Sequence, residues 1–114
     1  MADGVVTAGG VALDALGNPT RRRLLELLRG RELTVAGLTR ELPVSQSAVS
    51  QHLAVLKGAG LVESRPSGTR RYYRVAPDGL AAVRAYVDTF WDGVLDAFVT
   101  YAQEITEEST DDEP

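Results

Sequence analysis

Every other part of this 114-residue chain is best placed relative to Ser45-Gln-Ser-Ala-Val-Ser-Gln-His-Leu-Ala-Val-Leu-Lys57, followed by Gly58-Ala-Gly-Leu-Val62. At the helical rotation per residue, Val49, Leu53 and Leu56 fall within about 60° of one another, a single buried stripe. Ser47, Gln51 and Ala54 lie near the opposite side, with Ser50 at its edge. A merely solvated face carries Glu, Lys and Arg; this one is small, uncharged and rich in hydrogen-bonding groups. Such a surface suits close approach to base edges in a DNA major groove, which admits one α-helix. An ordinary amphipathic helix is the other reading, and the segment alone does not separate the two.

Its neighbours do. Upstream, Asn18-Pro19 is a helix start, with Asn at the N-cap and Pro at the first helical position. The helix it opens turns Leu24, Leu25, Leu27 and Leu28 inward and stops at Gly30. Arg21, Arg22 and Arg23 sit in its first turn, where the helix dipole disfavours cations, so they are either solvated or bound to phosphate or an acidic partner. Glu32-Leu33-Thr34 reads as a short extended piece, with Thr34 capping a helix from Val35 to about Leu42 that Pro43 ends. Ser45 caps the next helix, and two short helices across a tight connection are a helix-turn-helix. Downstream, Val62–Arg65 and Arg71–Val75 read as strands of a β-hairpin joined around Pro66-Ser-Gly-Thr69. The hairpin carries Arg65, Arg70, Arg71 and Arg74 against the single acid Glu63. A basic-tipped hairpin directly after a reading helix is a wing, able to touch backbone phosphate or enter a minor groove. A solvated edge hairpin is the plainer alternative.

Composition agrees with a small globular protein, 44% apolar and 25% charged. No apolar run reaches membrane-spanning length, and no basic-then-apolar leader opens the chain. No membrane partner and a cytoplasmic location are therefore expected. The absence of cysteine removes disulfides and thiolate metal sites. The net charge of −4 conceals a division: residues 1–85 hold all twelve basic groups and seven acids, a net of +5, while residues 86–114 hold nine acids and no base. Local positive surface, rather than total charge, governs contact with DNA.

Pro77-Asp78 opens a last helix expected to run to about Glu107. Leu80, Val83, Val87, Phe90, Trp91, Val94, Phe98, Ala102 and Ile105 recur every three or four residues along it. A stripe of about 28 residues spans about 42 Å, more than a domain this small needs for its own core, so it points to contact between subunits. Gly93 either lets two backbones approach closely or only weakens the helix. The expected organisation is a flexible lead over 1–9, a winged domain over 10–106 with the terminal dimerisation helix, and a disordered acidic tail over 107–114.

The order of elements, and the runs Leu16-Gly-Asn-Pro-Thr-Arg-Arg-Arg-Leu24, Leu42-Pro-Val-Ser-Gln-Ser-Ala-Val-Ser-Gln-His-Leu53, Leu56-Lys-Gly-Ala-Gly-Leu-Val62 and Gly68-Thr-Arg-Arg-Tyr-Tyr-Arg-Val75, resemble the ArsR-type winged helix-turn-helix repressors. The resemblance covers roughly residues 11–105. It implies a mainly helical, dimeric fold with one β-hairpin, pairing through the first and last helices, and repression from a palindromic operator in double-stranded DNA. Carried over by position, it sets Gln46, Ser47, Ser50 and Gln51 against bases or nearby phosphates and gives Arg65, Arg70 and Arg71 to the wing. His52 falls at the edge of the apolar face, more in keeping with a packed histidine bonded to backbone or a neighbouring subunit than with a DNA contact. The chain departs from the metal-sensing members. Val35-Ala-Gly-Leu-Thr-Arg-Glu-Leu42 holds no cysteine pair, and the terminal helix holds no histidine, so no cofactor or metal is expected. Asp88, Asp92 and Asp96 form a carboxylate row that is a solvated flank, a partner for arginines of another subunit, or a weak cation site. The resemblance is to the non-metal branch, whose inducer is often not evident.

Two other classes remain in view. A winged module that binds protein rather than DNA would suit the acidic tail. An enzyme has little to work with: one histidine, no phosphate-binding glycine loop, and Ser47 and Ser50 beside His52 without an oxyanion hole or orienting acid in sequence.

Overall fold

The computed structural model describes residues 2–111, and the side chains of residues 7–107. The elements are α1 (Ala2–Ala15), α2 (Pro19–Leu27), α3 (Val35–Arg40), α4 (Gln46–Gly58), β1 (Val62–Ser67), β2 (Arg70–Val75) and α5 (Pro77–Asp111). The expected architecture, mainly helical with one hairpin and a long last helix, is present.

Local chemistry sets most boundaries. Asn18 Oδ1 accepts from the backbone N–H groups of Thr20 (2.8 Å) and Arg21 (3.1 Å), and Pro19 starts α2 without a donor to satisfy. Thr34 Oγ1 accepts from Gly37 N–H, and Ser45 Oγ from Ala48 N–H, each at 3.1 Å. α3 ends at Arg40 rather than Leu42, because the residue before a proline is pushed out of helical geometry and Pro43 follows Leu42. The connection to α4 is accordingly longer than the tight one expected.

The hairpin is tighter than its sequence suggests. Its strands pair antiparallel from Val62↔Val75 to Ser67↔Arg70, leaving only Gly68 and Thr69 in the turn. Gly68 sits at φ 63°, and glycine first in a two-residue turn is the type II′ requirement that matches strand twist. Leu33 bridges Tyr73 on the far side of β2, with both backbone bonds made at 2.9 and 3.1 Å, as the extended Glu32-Leu33-Thr34 reading expects.

Leu24 of α2 and Leu28 at its C-cap, Leu38 of α3, Val49, Leu53 and Leu56 of α4, and Leu61 form one buried core, with Ala12 and Ala15 of α1 against it. The stripe Val49, Leu53, Leu56 is wholly buried.

Two expectations are corrected. The lead expected over residues 1–9 is helical from Ala2 onward. Gly9 and Gly10 weaken an isolated helix, but Gly9 is buried where a Cβ would overlap Tyr86 and the Ala82 carbonyl of α5. Close packing of α1 on α5 thus offsets poor local propensity. At the other end, the tail expected to be disordered from residue 107 continues α5 through Asp111; residues 112–114 lie outside the described residues. No glycine or proline interrupts that run, and Glu107 and Glu108 favour helix.

The arginines of the first turn of α2 also find a use. Arg21 Nε donates to Ala15 O (2.5 Å) and Arg22 Nη1 to Leu16 O (2.7 Å), satisfying carbonyls at the end of α1, where a cation is favoured. α5 is anchored at its start: Gly79 N–H donates to Gly60 O (2.8 Å) and Ala76 N–H to Leu61 O (2.9 Å). Beyond that anchor it leaves the body, and the molecule measures 79 × 33 × 21 Å. Its radius of gyration, 20.9 Å, exceeds the roughly 13 Å of a compact chain this long. Among the described residues, no helix is long and apolar enough to cross a membrane.

Candidate nucleic-acid interface

α4 exposes the face that its sequence marks out. Gln46, Ser47, Ser50, Gln51 and Ala54 are all solvent-exposed, opposite the buried stripe. The expected base-reading residues therefore share one open surface. His52 is half-buried at the border. Among the described residues it makes no hydrogen bond, to backbone or side chain.

The wing arginines divide into two groups. Arg70 and Arg71, at the start of β2, line an open groove of 350 Å³ together with Arg40, Gln46, Thr34 and Thr69. The fold thus gathers the N-terminal end of α4, the last turn of α3 and the tip of the wing around one anion-sized recess. Arg70 makes no ion pair among the described residues. Arg71 Nη1 and Lys57 Nζ both donate to Ser64 Oγ, each at 3.1 Å, which ties the end of α4 to the hairpin. Sequence reasoning missed Arg40; a basic residue in the last turn before the reading helix is the signal that was available.

Arg65 and Arg74 are occupied. Arg65 pairs with Glu32 (Nη2–Oε2, 2.7 Å; Nε–Oε2, 2.9 Å) and lies 5.1 Å from the Tyr72 ring centroid. Arg74 pairs with Glu63 at 2.6 Å and Glu32 at 3.8 Å. Hydrogen bonding from Arg65 holds the Glu32 carboxyl below its ordinary value; desolvation opposes this, and the charges of Arg65 and Arg74 add to the lowering. The same hydrogen bond raises Arg65. Arg65, one of the residues expected at the DNA, is exposed and ties the segment at Glu32 to β1. Its partner lies 33 positions away, a pairing that local spacing does not reveal.

The expected interface stripe is largely open. Leu80, Val87, Phe90, Trp91, Val94 and Phe98 are exposed, Phe98 at 66% and Trp91 at 53%. Val83 is the exception: it is half-buried against the chain's own core, because α5 has not yet left the body at that point. Ile105, also on the stripe read from the sequence, is exposed, and Leu95, Val99 and Tyr101, outside that stripe, add to the exposed apolar surface. Asp88, Asp92 and Asp96 are exposed along another side, and no metal-binding cluster occurs among the described residues.

A capped helix pair whose second member presents an uncharged face, followed by an arginine-tipped hairpin, defines a winged helix-turn-helix DNA-binding domain. Residues 18–64 match the family model described as bacterial regulatory protein, arsR family. The chain is 51% identical over 100 residues to the HTH-type transcriptional regulator Rv2034 of Mycobacterium tuberculosis, covering 88% of this chain and 91% of that one. Among solved structures it resembles one described as a possible transcriptional regulator for arsenical resistance (50% identity, TM-score 0.67, 78% of this chain and 93% of the other). It also resembles an ArsR-like transcriptional regulator from Rhodococcus sp. RHA1 (30% identity, TM-score 0.71, 87% and 96%). The chain belongs to the ArsR family of bacterial transcriptional regulators. It is a DNA-binding regulator, not an enzyme.

Proposed function

We propose that the chain is a homodimeric repressor that occupies a palindromic operator in double-stranded DNA. The observation that carries the reading is the groove in which Gln46 of the reading helix meets Arg40, Arg70 and Arg71. In this reading Gln46, Ser47, Ser50 and Gln51 lie against base edges, while Arg40, Arg70 and Arg71 hold the flanking phosphates and set the helix at its depth. Arg65 acts indirectly, by fixing the wing through Glu32. The exposed face of α5 supplies the subunit contact, and the two reading helices of a dimer then address half-sites about one helical turn apart. A dimer so placed represses by occluding the promoter. Cytoplasmic placement, with the nucleoid when bound, belongs to the same proposal, since the operator is there. Neither a cofactor nor a particular inducer is part of it.

A gel-shift titration over a salt series, using fragments from upstream of the gene, tests the reading. Affinity is expected to fall steeply with salt, because each arginine on a phosphate releases counterions. The double variant Arg70→Ala/Arg71→Ala is expected to bind all fragments more weakly, whereas Gln51→Ala changes which fragment is preferred. Unchanged affinity of the double variant would remove the wing from the interface.

A further inference from the structure

Where α2, the root of β2 and the start of α5 meet, the surface opens into a groove of 390 Å³. Its floor is aliphatic. Leu16, Leu25 and Val75 pack directly on the buried core, and Leu80 of α5, 40% exposed, completes the lining. Among the described residues, no aromatic ring, hydroxyl or amide side chain lines it. Its charged groups are Arg22, Glu26 and Arg29, and they are unequally committed. The Glu26 carboxylate already meets Arg23 at 3.3 Å, and Arg22 Nη1 donates to Leu16 O at 2.7 Å. Arg29 is exposed, and its guanidinium makes no ion pair or hydrogen bond among the described residues. The groove thus joins an apolar floor to an edge with one uncommitted cation.

That combination sorts the possible occupants. An alkyl chain gains by leaving water against aliphatic side chains. A hydroxylated or heterocyclic ligand would bury polar atoms with no uncharged side-chain partner, which is unfavourable. A carboxylate matches the planar fork of arginine, whereas an ammonium would be repelled by it. The volume lies near the lower end of small-molecule sites, about 300–1,000 Å³. It suits one alkyl chain rather than a two-chain lipid.

We propose that this groove is an effector site for a free medium-chain alkanoate. The chain lies along Leu16, Leu25, Val75 and Leu80, and the carboxylate sits on Arg29. Val75 is the last residue of β2, whose first residue is Arg70 at the wing tip, and Leu80 lies in the first turn of α5. A ligand held between these residues and α2 therefore acts on the root of the wing. It favours the placement of β2 that best fits the occupied groove, and so resets Arg70 and Arg71 without touching the exposed face of α4. This effect rests on the DNA reading proposed above; binding of the ligand does not.

Decanoate, kept below its micelle-forming concentration, is the probe. Calorimetric titration into the full-length chain is expected to show saturable binding at one site per chain. Decyl alcohol and decylamine lack the carboxylate and butyrate lacks the chain; each is expected to bind about tenfold more weakly or worse. Arg29→Glu is expected to weaken decanoate by a similar factor and to leave the thermal melt unchanged, since the side chain is exposed. Equal binding of decyl alcohol, or unchanged binding by Arg29→Glu, would overturn the carboxylate assignment. Heats that never saturate would overturn the site. Decanoate affinity that falls as protein concentration rises would mean that a second copy fills the groove, and would overturn the assignment equally. In gel shifts, saturating decanoate is expected to change operator affinity about fivefold or more for the wild type and not for Arg29→Glu. Decanoate that binds and leaves operator affinity unchanged would overturn the effector role. A chain that binds decanoate but no operator, with or without ligand, would support the site and overturn the DNA reading on which its effect rests.

Discussion

The winged body and the distal part of α5 carry similar apolar side chains and treat them in opposite ways. Leu24, Leu38, Leu53 and Leu56 are wholly buried, while Phe90, Trp91, Val94, Phe98 and Tyr101 are more than half exposed. The body is closed by its own contacts. Distal α5 has helical backbone and a continuous apolar stripe that stays open among the described residues. A patch of that size and regularity marks an interaction surface. The first region therefore serves the stability of the single chain, and the second is the surface given to the subunit contact in the proposed dimer.

The largest effect expected from breaking this contrast comes from paired truncations. Leu53→Ala removes a wholly buried side chain from the core and should cost about 2–5 kcal/mol, through lost transfer energy and a residual cavity. Phe98→Ala removes a larger side chain at 66% exposure. It should leave the unfolding free energy of the dilute, monomeric chain almost unchanged while weakening self-association. Denaturant titrations at two protein concentrations measure both. Equal losses in the dilute chain would mean that the stripe is already covered within one chain.

The joint between the two regions is the next place to probe. Gly60, at φ 75°, follows the reading helix, and its carbonyl accepts from Gly79 N–H at the start of α5. A Cβ on Gly79 would overlap that same carbonyl. Gly79→Ala is expected to cost about 1–3 kcal/mol as an overpacking strain. It should also lower DNA affinity without altering base preference, because it moves α5 relative to α4 and leaves the reading face intact. Thermal melts and a binding titration on two operators separate these outcomes. A changed preference would mean that the joint also shapes the reading face.

What was legible in the sequence is what depends on neighbours in the chain. Asn18-Pro19, Thr34 and Ser45 cap helices through bonds two or three residues long, and Val49, Leu53 and Leu56 reveal their face through period alone. The exposed polar face of α4 followed directly. Contacts made in space were not legible. Arg65 looked free because its carboxylate is 33 positions away, and Arg21 and Arg22 looked misplaced because the helix they serve is α1. The glycine-rich start of α1 looked flexible because the close packing of Gly9 on Tyr86 spans most of the chain. Arg40 joins the candidate interface for the same reason: only the folded hairpin brings Arg70 and Arg71 to its side.

Arg40 therefore sharpens the contrast within the body itself, between charges free to meet DNA and charges already paired. Arg40→Ala is expected to weaken binding by about the same factor on every fragment and to reduce the slope of log affinity against log salt by about one. Arg74→Ala, which removes a guanidinium already held by Glu63, should change that slope less. A larger change for Arg74 than for Arg40 would reverse the division of the wing arginines.

The smallest expected effect concerns the Glu32–Arg65 brace, an exposed pair that contributes little to global stability. Its value is positional, and pH is the lever. The Glu32 carboxyl titrates below its ordinary 4.5 because Arg65 stabilises the charged form. The interaction is thus complete above that value and lost as pH falls through the lowered one. Protonation releases Arg65 from Glu32 and so from its place over Tyr72. Ring resonances of Tyr72, followed by NMR during acid titration of the native chain, are expected to shift with a midpoint below 4.5 in the wild type, and the step is expected to vanish in Glu32→Gln. A midpoint at or above the ordinary value would mean that Arg65 does not hold the carboxylate in solution. The arginine would then be free to join Arg70 and Arg71 at the DNA, as its sequence position first suggests.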